Sequence, residues 1–366
     1  MNMQTSWNNN HFLHLDKPLL IGLALLSCIG LIVLYSAGGQ NIDLLFRQTL
    51  RLSAGLVLML LIAQFRIQKI VHWVPWLYLL GIFLLIVVLV IGKSSHGSTR
   101  WLNLGLFRFQ PSELMKLAVP MMVTWYLADR PLPPNYGRLL VASFLIAIPV
   151  ILVAKQPDLG TALLISSSGI FVILLSGISW RFVFGFLTLS ILSTPVLWYI
   201  MHPYQRQRVL TFLDPEKDPL GTGYHIIQSK IAIGSGGLYG KGWLNGTQSQ
   251  LQFLPERTTD FVFAVYSEEF GLLGILLLLS IYFFVLSRGM YISLQAQDSF
   301  SRLLTGSLVL SFFVHIFANI GMVTGLLPVV GLPLPLISYG GTSIITLMIG
   351  FGFVMAVHTH RRLLFG

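Results

Sequence analysis

The chain has 366 residues, 55% of them hydrophobic and only 10% charged, with a mean hydropathy of +0.78. Soluble globular proteins carry about 25% charged residues, so this chain lacks the polar surface to stay in water. Its net charge of +10 is scattered between apolar stretches and builds no continuous basic face, which argues against a nucleic-acid partner. In such a chain the basic excess reflects topology and contact with membrane lipid, and it suits a substrate bearing pyrophosphate.

The polar, Asn-rich start, Met1 to Pro18, leads into an apolar run from Leu19 to Tyr35. That run is too long for a signal-peptide core, and no A-x-A-like site follows it, so it reads as an uncleaved first span. A bilayer core needs about 17–25 apolar residues per helix. Roughly ten stretches meet that need, near 18–37, 44–65, 73–92, 113–129, 138–154, 160–177, 181–201, 261–287, 303–326 and 338–358. The expected fold is all-α: one integral membrane domain over 1–366, without the alternation of a β-barrel. Ten spans place both termini on one side. The basic residues choose the cytoplasm, with Arg66, Lys69, Arg130, Arg138, Arg288 and Arg302 among those falling inside.

One connection is long. About 60 residues, Met201 to Asp260, separate the seventh and eighth stretches and read as a large outer loop near 202–260. Loops of that length are uncommon and usually functional. HIIQSKIAIG within it fits a short helix lying in the membrane interface. GSGGLYGKGWLNGTQSQLQ is rich in glycine, and FLPERTTD leads into the eighth stretch.

Only 13 acidic residues are present, so an outward-facing catalytic base has few candidates. Asp214, Glu216 and Asp218 read as solvated loop charges. Asp260 stands where the loop enters the apolar stretch FVFAV. A half-desolvated carboxylate there gains basicity, and Arg257 could hold it charged; the competing reading is a helix cap. Lys116 and Glu113, three apart, share a helix face and form either an internal ion pair or, with Arg108 and Arg100, a phosphate grip. Arg47 and Arg51 either line the same cavity or snorkel to the interface. Asp158 caps a helix or joins the site. In SYGGTS, Ser338, Gly340, Gly341 and Ser343 either pack helices closely or offer a helix N-terminus to an anion. Glu268 and Glu269 would be costly at membrane depth. No Walker loop, dinucleotide fingerprint or zinc spacing occurs.

Four segments carry a resemblance. GGLYGKGWLNGTQSQLQFLPERTTDFVFAVYSEEFGLLG (Gly236–Gly274) resembles the signature of the SEDS family, which comprises RodA, FtsW and SpoVE proteins. FRFQPSELMKLA, KQPDLGTALL and PLPLISYGGTS are similar to further family segments in the same order, so the resemblance covers nearly the whole chain. The stretch GTQSQLQFLPERTTDF is closest to the elongation-specific RodA branch. The resemblance implies a peptidoglycan glycosyltransferase of the bacterial inner membrane acting on lipid II. It also implies a class B penicillin-binding protein as the partner transpeptidase, within an elongation complex of membrane proteins. Asp260 matches the family's essential aspartate. Lys116, Arg108, Glu113 and Asp158 match its outer cavity, and Arg47 matches a polar second-span position. Asp260 would deprotonate the acceptor's 4-hydroxyl, with inversion at the donor's anomeric carbon. Lys116 and Arg108 would stabilise the departing pyrophosphate. A divalent cation, Mg²⁺ or Mn²⁺, could share that task; no other cofactor is expected. The alternatives are a flippase for the same lipid, the division-type FtsW role with the same chemistry, or a scaffold that recruits a synthase.

Overall fold

The computed structural model describes residues 15–95, 98–103, 108–201, 203–215, 222–251, 253–254 and 256–359. The chain runs α1 (Lys17–Ala37), α2 (Ile42–Ala63), α3 (Ile67–Val71), α4 (Val74–Ile91), β1 (Lys93–Ser95), β2 (Ser98–Asn103), β3 (Arg108–Phe109), α5 (Pro111–Ala128), α6 (Tyr136–Ala154) and α7 (Leu159–Leu175). It continues through α8 (Trp180–Ile200), α9 (Pro203–Leu213), α10 (Thr222–Ser235), α11 (Thr247–Gln250), α12 (Val262–Leu294), α13 (Ser299–Val323) and α14 (Thr342–Thr359).

The protein is an all-α, polytopic membrane protein. Hydrocarbon offers no partner to backbone N–H and C=O groups, so apolar stretches satisfy them internally as helices. Each of the ten stretches is occupied by one. By length and hydropathy α1, α2, α6, α12, α13 and α14 suffice to cross a bilayer, while α4 and α7 are apolar but shorter. Short polar residues start several of them. Asp16, Asn41, Asn135, Asp158 and Asp298 each accept a bond from a first-turn N–H, capping α1, α2, α6, α7 and α13. Large apolar side chains such as Phe46, Phe83, Leu192 and Phe283 are exposed, as a lipid-facing surface requires.

Helix α14 packs along α2, α12 lies between α13 and α1, and α13 also meets α7 and α5. Small residues let these backbones close. A Cβ on Gly55 of α2 would touch the Met348 side chain of α14 at 3.0 Å. At one end of the bundle, Arg288 of α12 meets Asp16 with Nη2 to Oδ2 at 2.6 Å, and His358 of α14 approaches the same oxygen at 3.3 Å. Burial works to raise the Asp16 pKa, but hydrogen bonds from Arg288 and Leu19 outweigh it and hold the carboxyl below its ordinary value.

Three features differ from the sequence expectation. A small antiparallel sheet, β1–β2–β3, covers the turn between α4 and α5. The 201–260 connection holds α9 and α11 besides the one helix expected there. The expected helix at HIIQSKIAIG forms as α10. It buries Ile226, Ser229 and Ala232 against α12 and α13, leaving Ile231 exposed. The third difference is in α12, which extends over 33 residues and breaks at Gly271 (φ 64°, ψ −163°). The glycine-rich segment enters at this break. Lys241 N and Gly242 N donate to the carbonyls of Glu268 and Glu269, each at 3.0 Å, and Leu272 N donates back to Gly237 O at 2.9 Å. The costly Glu268 is thereby paired: it is fully buried, with Oε1 accepting from Lys241 Nζ at 2.7 Å and from Thr247 Oγ1 and Gln248 N at 3.0 Å. Glu269 accepts from the Ser36 hydroxyl of α1.

Candidate active site

An open cavity of about 210 Å³ lies where five chain segments converge. The β2–α5 region supplies Arg100, Gln110, Glu113 and Lys116. The start of α7 supplies Asp158, the turn before α12 supplies Thr259 and Asp260, and the segments around 331–333 and 339–343 close it.

Asp260 is placed by a turn and not by a helix cap. Phe261 occupies the N-cap of α12, with no side-chain cap bond, so the Asp260 carboxyl is free of that duty. Its backbone is pinned from α13, where buried Asn319 donates through Nδ2 to Asp260 O at 2.9 Å and to Leu332 O at 2.6 Å. Room for the carboxyl comes from Gly331, which has a left-handed φ of 70°. A Cβ there would stand 3.3 Å from Asp260 Oδ2. The side chain is half-buried. Desolvation first, then the neighbouring Glu256 carboxyl, push its pKa up to about 7, against the opposing pull of Arg208 and Arg100.

Cations face it across the cavity. Lys116 Nζ lies 2.7 Å from Glu113 Oε1, and both side chains line the wall, so the internal pair and an open site coexist. Asp158 likewise does two things. Oδ1 caps α7 through Thr161 N at 3.2 Å, while Oδ2 accepts from Gln110 Nε2 at 3.0 Å and lies 3.6 Å from Arg100 Nε. Arg100 also donates to Pro157 O at 3.0 Å, which ties β2 to the start of α7. Gly340, Gly341, Thr342 and Ser343 line the cavity, which puts the start of α14 at Thr342 on its wall.

Other expected residues lie elsewhere. Arg47 is exposed on α2 and does not line the cavity. The buried face of that helix is Gln48, Leu52, Gly55 and Met59, set by packing on α14, and this turns Arg47 outward. Arg51 comes inward instead, donating to Gly340 O at 3.2 Å with its guanidinium 4.5 Å above the Tyr339 ring. Arg257 does not reach Asp260 as a counter-ion. It donates to Ser249 O and lies beside Gly39. Ser338 is buried as a brace, donating to Thr259 O at 2.6 Å and accepting from Leu334 N at 2.7 Å. The Arg108 side chain, with Glu216 and Asp218, lies outside the described residues.

Sequence reasoning missed Gln48, Gln110, Arg208 and Asn319. Polar side chains within apolar stretches were the available signal for Gln48 and Asn319. Gln48 donates to Ser338 O at 3.1 Å and accepts from Gly340 N at 3.4 Å, and so holds the cavity's far wall. Among the described residues no group of three or more His, Cys, Asp or Glu could hold a metal ion. A divalent cation at this cavity would take one or two carboxylates and complete its shell with substrate phosphate oxygens.

A family model described as "Cell cycle protein", covering FtsW, RodA and SpoVE, matches residues 17–363. The peptidoglycan glycosyltransferase MrdB of Escherichia coli K12 is 52% identical over 364 residues, spanning 99% of this chain and 98% of that protein. The stage V sporulation protein E of Bacillus subtilis is 35% identical over 359 residues, spanning 95% and 98%. Among solved structures, a chain of a peptidoglycan synthase complex that coordinates polymerization and crosslinking matches with a TM-score of 0.82. It is 32% identical, and the match covers 94% of this chain and 97% of that one. The rod shape determining protein RodA of Thermus thermophilus matches with a TM-score of 0.73 at 29% identity over 96% and 99%. With a family match over residues 17–363 and nearly its whole length and its fold in common with these proteins, the chain belongs to the FtsW/RodA/SpoVE family, the SEDS family.

Proposed function

We propose that this protein is the elongation-type peptidoglycan glycosyltransferase of a bacterial inner membrane, polymerising lipid II into glycan strands with Asp260 as general base. The observation that carries the assignment of the base is the Asp260 carboxyl, its pKa raised to about 7, opening on the same cavity as Lys116, Arg100 and the α14 N-terminus.

The chemistry follows from that arrangement. The acceptor's sugar 4-hydroxyl gives its proton to Asp260, and its oxygen attacks the donor's anomeric carbon. The lipid pyrophosphate leaves from the opposite face with the bonding electron pair, so the configuration inverts. Pyrophosphate is a good leaving group, so a second carboxylic acid of the kind glycosidases use is unnecessary. Charge grows on its oxygens in the transition state, and preorganised cations and amides stabilise it there. Lys116, Arg100 and Arg108 supply the cations, and Gly340, Gly341 and Ser343 line the mouth of the helix N-terminus. Glu113 and Asp158 orient the cations. Arg47, Arg257 and Ser338 take no direct part in this reading.

In this reading both termini lie in the cytoplasm, the chain forms one membrane domain, and the 202–260 region lies on the outer side. The partner is a class B penicillin-binding protein. Similarity to a chain of a complex that couples polymerization to crosslinking supports that pairing. The test is lipid II polymerisation by purified protein. Asp260→Asn should lose nearly all turnover with its fold intact, and a near-normal rate removes Asp260 from the base role.

A further inference from the structure

Two segments far apart in the chain are joined beside Asp260. Tyr339 N donates to Thr258 O at 2.8 Å, and the Ser338 hydroxyl donates to Thr259 O at 2.6 Å. Helix α2 holds the same segment from its other side. Gln48 Nε2 donates to Ser338 O at 3.1 Å, Gly340 N donates to Gln48 Oε1 at 3.4 Å, and Arg51 Nη1 donates to Gly340 O at 3.2 Å. The backbone on both sides of Tyr339 is therefore bound, and its Cα is fixed relative to the turn that carries the Asp260 carboxyl. Tyr339 itself is half-buried and lines the cavity together with Asp260.

The ring is held as well as the backbone. The Arg51 guanidinium carbon lies 4.5 Å from the Tyr339 ring centroid, and a guanidinium stacks well on an aromatic face. Arg51 does not line the cavity, whereas Tyr339 does, so the ring is the wall between the arginine and the open space. Among the described residues one other aromatic side chain, Trp101, lines this cavity. Trp101 follows Arg100 on β2, and Arg100 is tied to Asp158 and Pro157 at the start of α7. It belongs to the wall that supplies the cations. Tyr339 is the aromatic residue bound to the turn of the base.

A hydroxyl meets a base productively only when the sugar that carries it is held still. The rim of a pyranose ring bears hydroxyls, and its faces bear C–H groups. An aromatic ring with a negative face can seat such a face while the hydroxyls stay free for chemistry. A ring already fixed by its backbone bonds and by a stacked cation loses little freedom when the sugar arrives. We propose that Tyr339 is the substrate-contacting residue on which the acceptor's sugar ring stacks, and that the bonds from 338–340 to Thr258 and Thr259 set that ring in register with Asp260. The cavity then divides by chemistry. Tyr339 and Asp260 seat the acceptor sugar, while Arg100 and Lys116 meet the donor's pyrophosphate. The assignment to the acceptor rests on Asp260 being the base, whereas the stacking does not.

The test uses purified full-length protein and polymerisation measured over a range of lipid II concentrations. Tyr339→Leu keeps an apolar wall and removes the ring. Its half-saturating lipid II concentration should rise about tenfold, by more than its saturated rate falls, with the melting temperature unchanged. Tyr339→Phe keeps the ring, and its half-saturating concentration should rise by less than about threefold. A Tyr339→Leu protein with wild-type half-saturation overturns the inference. So does a Tyr339→Phe protein as impaired as Tyr339→Leu, because the hydroxyl and not the ring would then carry the effect. A Tyr339→Leu loss confined to the saturated rate, with a lowered melting temperature, also overturns it and marks a residue that only shapes the wall. Asp260→Asn separates the two claims. If it is active, the base reading fails and the acceptor assignment falls with it. If it is inactive beside an unperturbed Tyr339→Leu, only the sugar platform fails.

Discussion

Lys116 Nζ sits 2.7 Å from Glu113 Oε1, one helical turn apart on α5, and both side chains line the cavity that Asp260 enters from the opposite segment. The pairing lets a cation stand at the top of an apolar helix without an unmatched charge. A pyrophosphate arriving in the cavity would meet a lysine already fixed in place.

Replacement of Lys116 by Met keeps the length of the side chain and removes its charge. Turnover should fall about 10²–10³-fold, the usual loss for one group that stabilises transition-state charge. Glu113→Gln should cost less, because it disturbs the orientation of the lysine and leaves the charge. Single-turnover polymerisation of lipid II, with the melting temperature as a folding control, measures both. A Lys116→Met enzyme at wild-type rate removes it from phosphate binding.

With Asp260 as the proposed base, its pKa pushed up to about 7 by burial and the Glu256 carboxyl, a pH dependence of turnover follows. The base works only when ionised. Turnover should therefore rise with pH, reach half its plateau near pH 7 and fall about tenfold per unit below that. The same shift has a stability sign. A carboxyl raised from an unfolded value near 3.9 favours folding where it is protonated in the native state. Its burial therefore costs stability increasingly from about pH 4 to 7. A rate that stays flat from pH 5 to 9 contradicts the assignment.

The two arginines of α2 should separate cleanly. Arg51 bonds Gly340 O and covers Tyr339, whereas Arg47 is exposed outside the cavity. Arg51→Ala frees the loop that shapes the cavity wall, and turnover should fall about tenfold or more. Arg47→Ala should stay within about twofold of wild type. Parallel kinetics decide it, and equal losses would show that α2 presents a different face.

The break in α12 offers a stability test. Gly271 has φ 64°, and a Cβ on it would lie 2.3 Å from Gly240 N. Gly271→Ala should cost about 2–4 kcal/mol through backbone strain and overpacking. Gly137, near the start of α6, meets nothing within 4 Å, and its alanine variant should gain about 0.5–1 kcal/mol. Thermal unfolding in detergent compares them. A tolerated Gly271→Ala would mean that the glycine-rich segment does not dock into the break.

The ion pair beside that break carries a related expectation. Glu268 is fully buried and Lys241 partly exposed, at 2.7 Å. Lys241→Met leaves a buried carboxylate without its cation and should cost about 1–3 kcal/mol. The double variant with Glu268→Gln should recover part of that loss, and unfolding midpoints of the three proteins report it.

The amino-acid sequence by itself determined the helices, because hydrocarbon leaves an apolar stretch no other way to satisfy its backbone. It also marked Asp260, Lys116, Glu113 and Asp158, since charge at the edge of such a stretch is expensive enough to need a purpose. Only the tertiary structure decided which of several equivalent polar residues faces inward. Arg47 and Arg51 both sit on α2, and the packing of Gln48, Leu52 and Gly55 against α14 selects one of them. Nor does local spacing show that Arg257 turns to Ser249, or that Asn319, 59 residues away, fixes the Asp260 backbone. Periodicity reports which face of a helix is apolar, whereas a cavity wall is made by contacts between segments far apart in the chain.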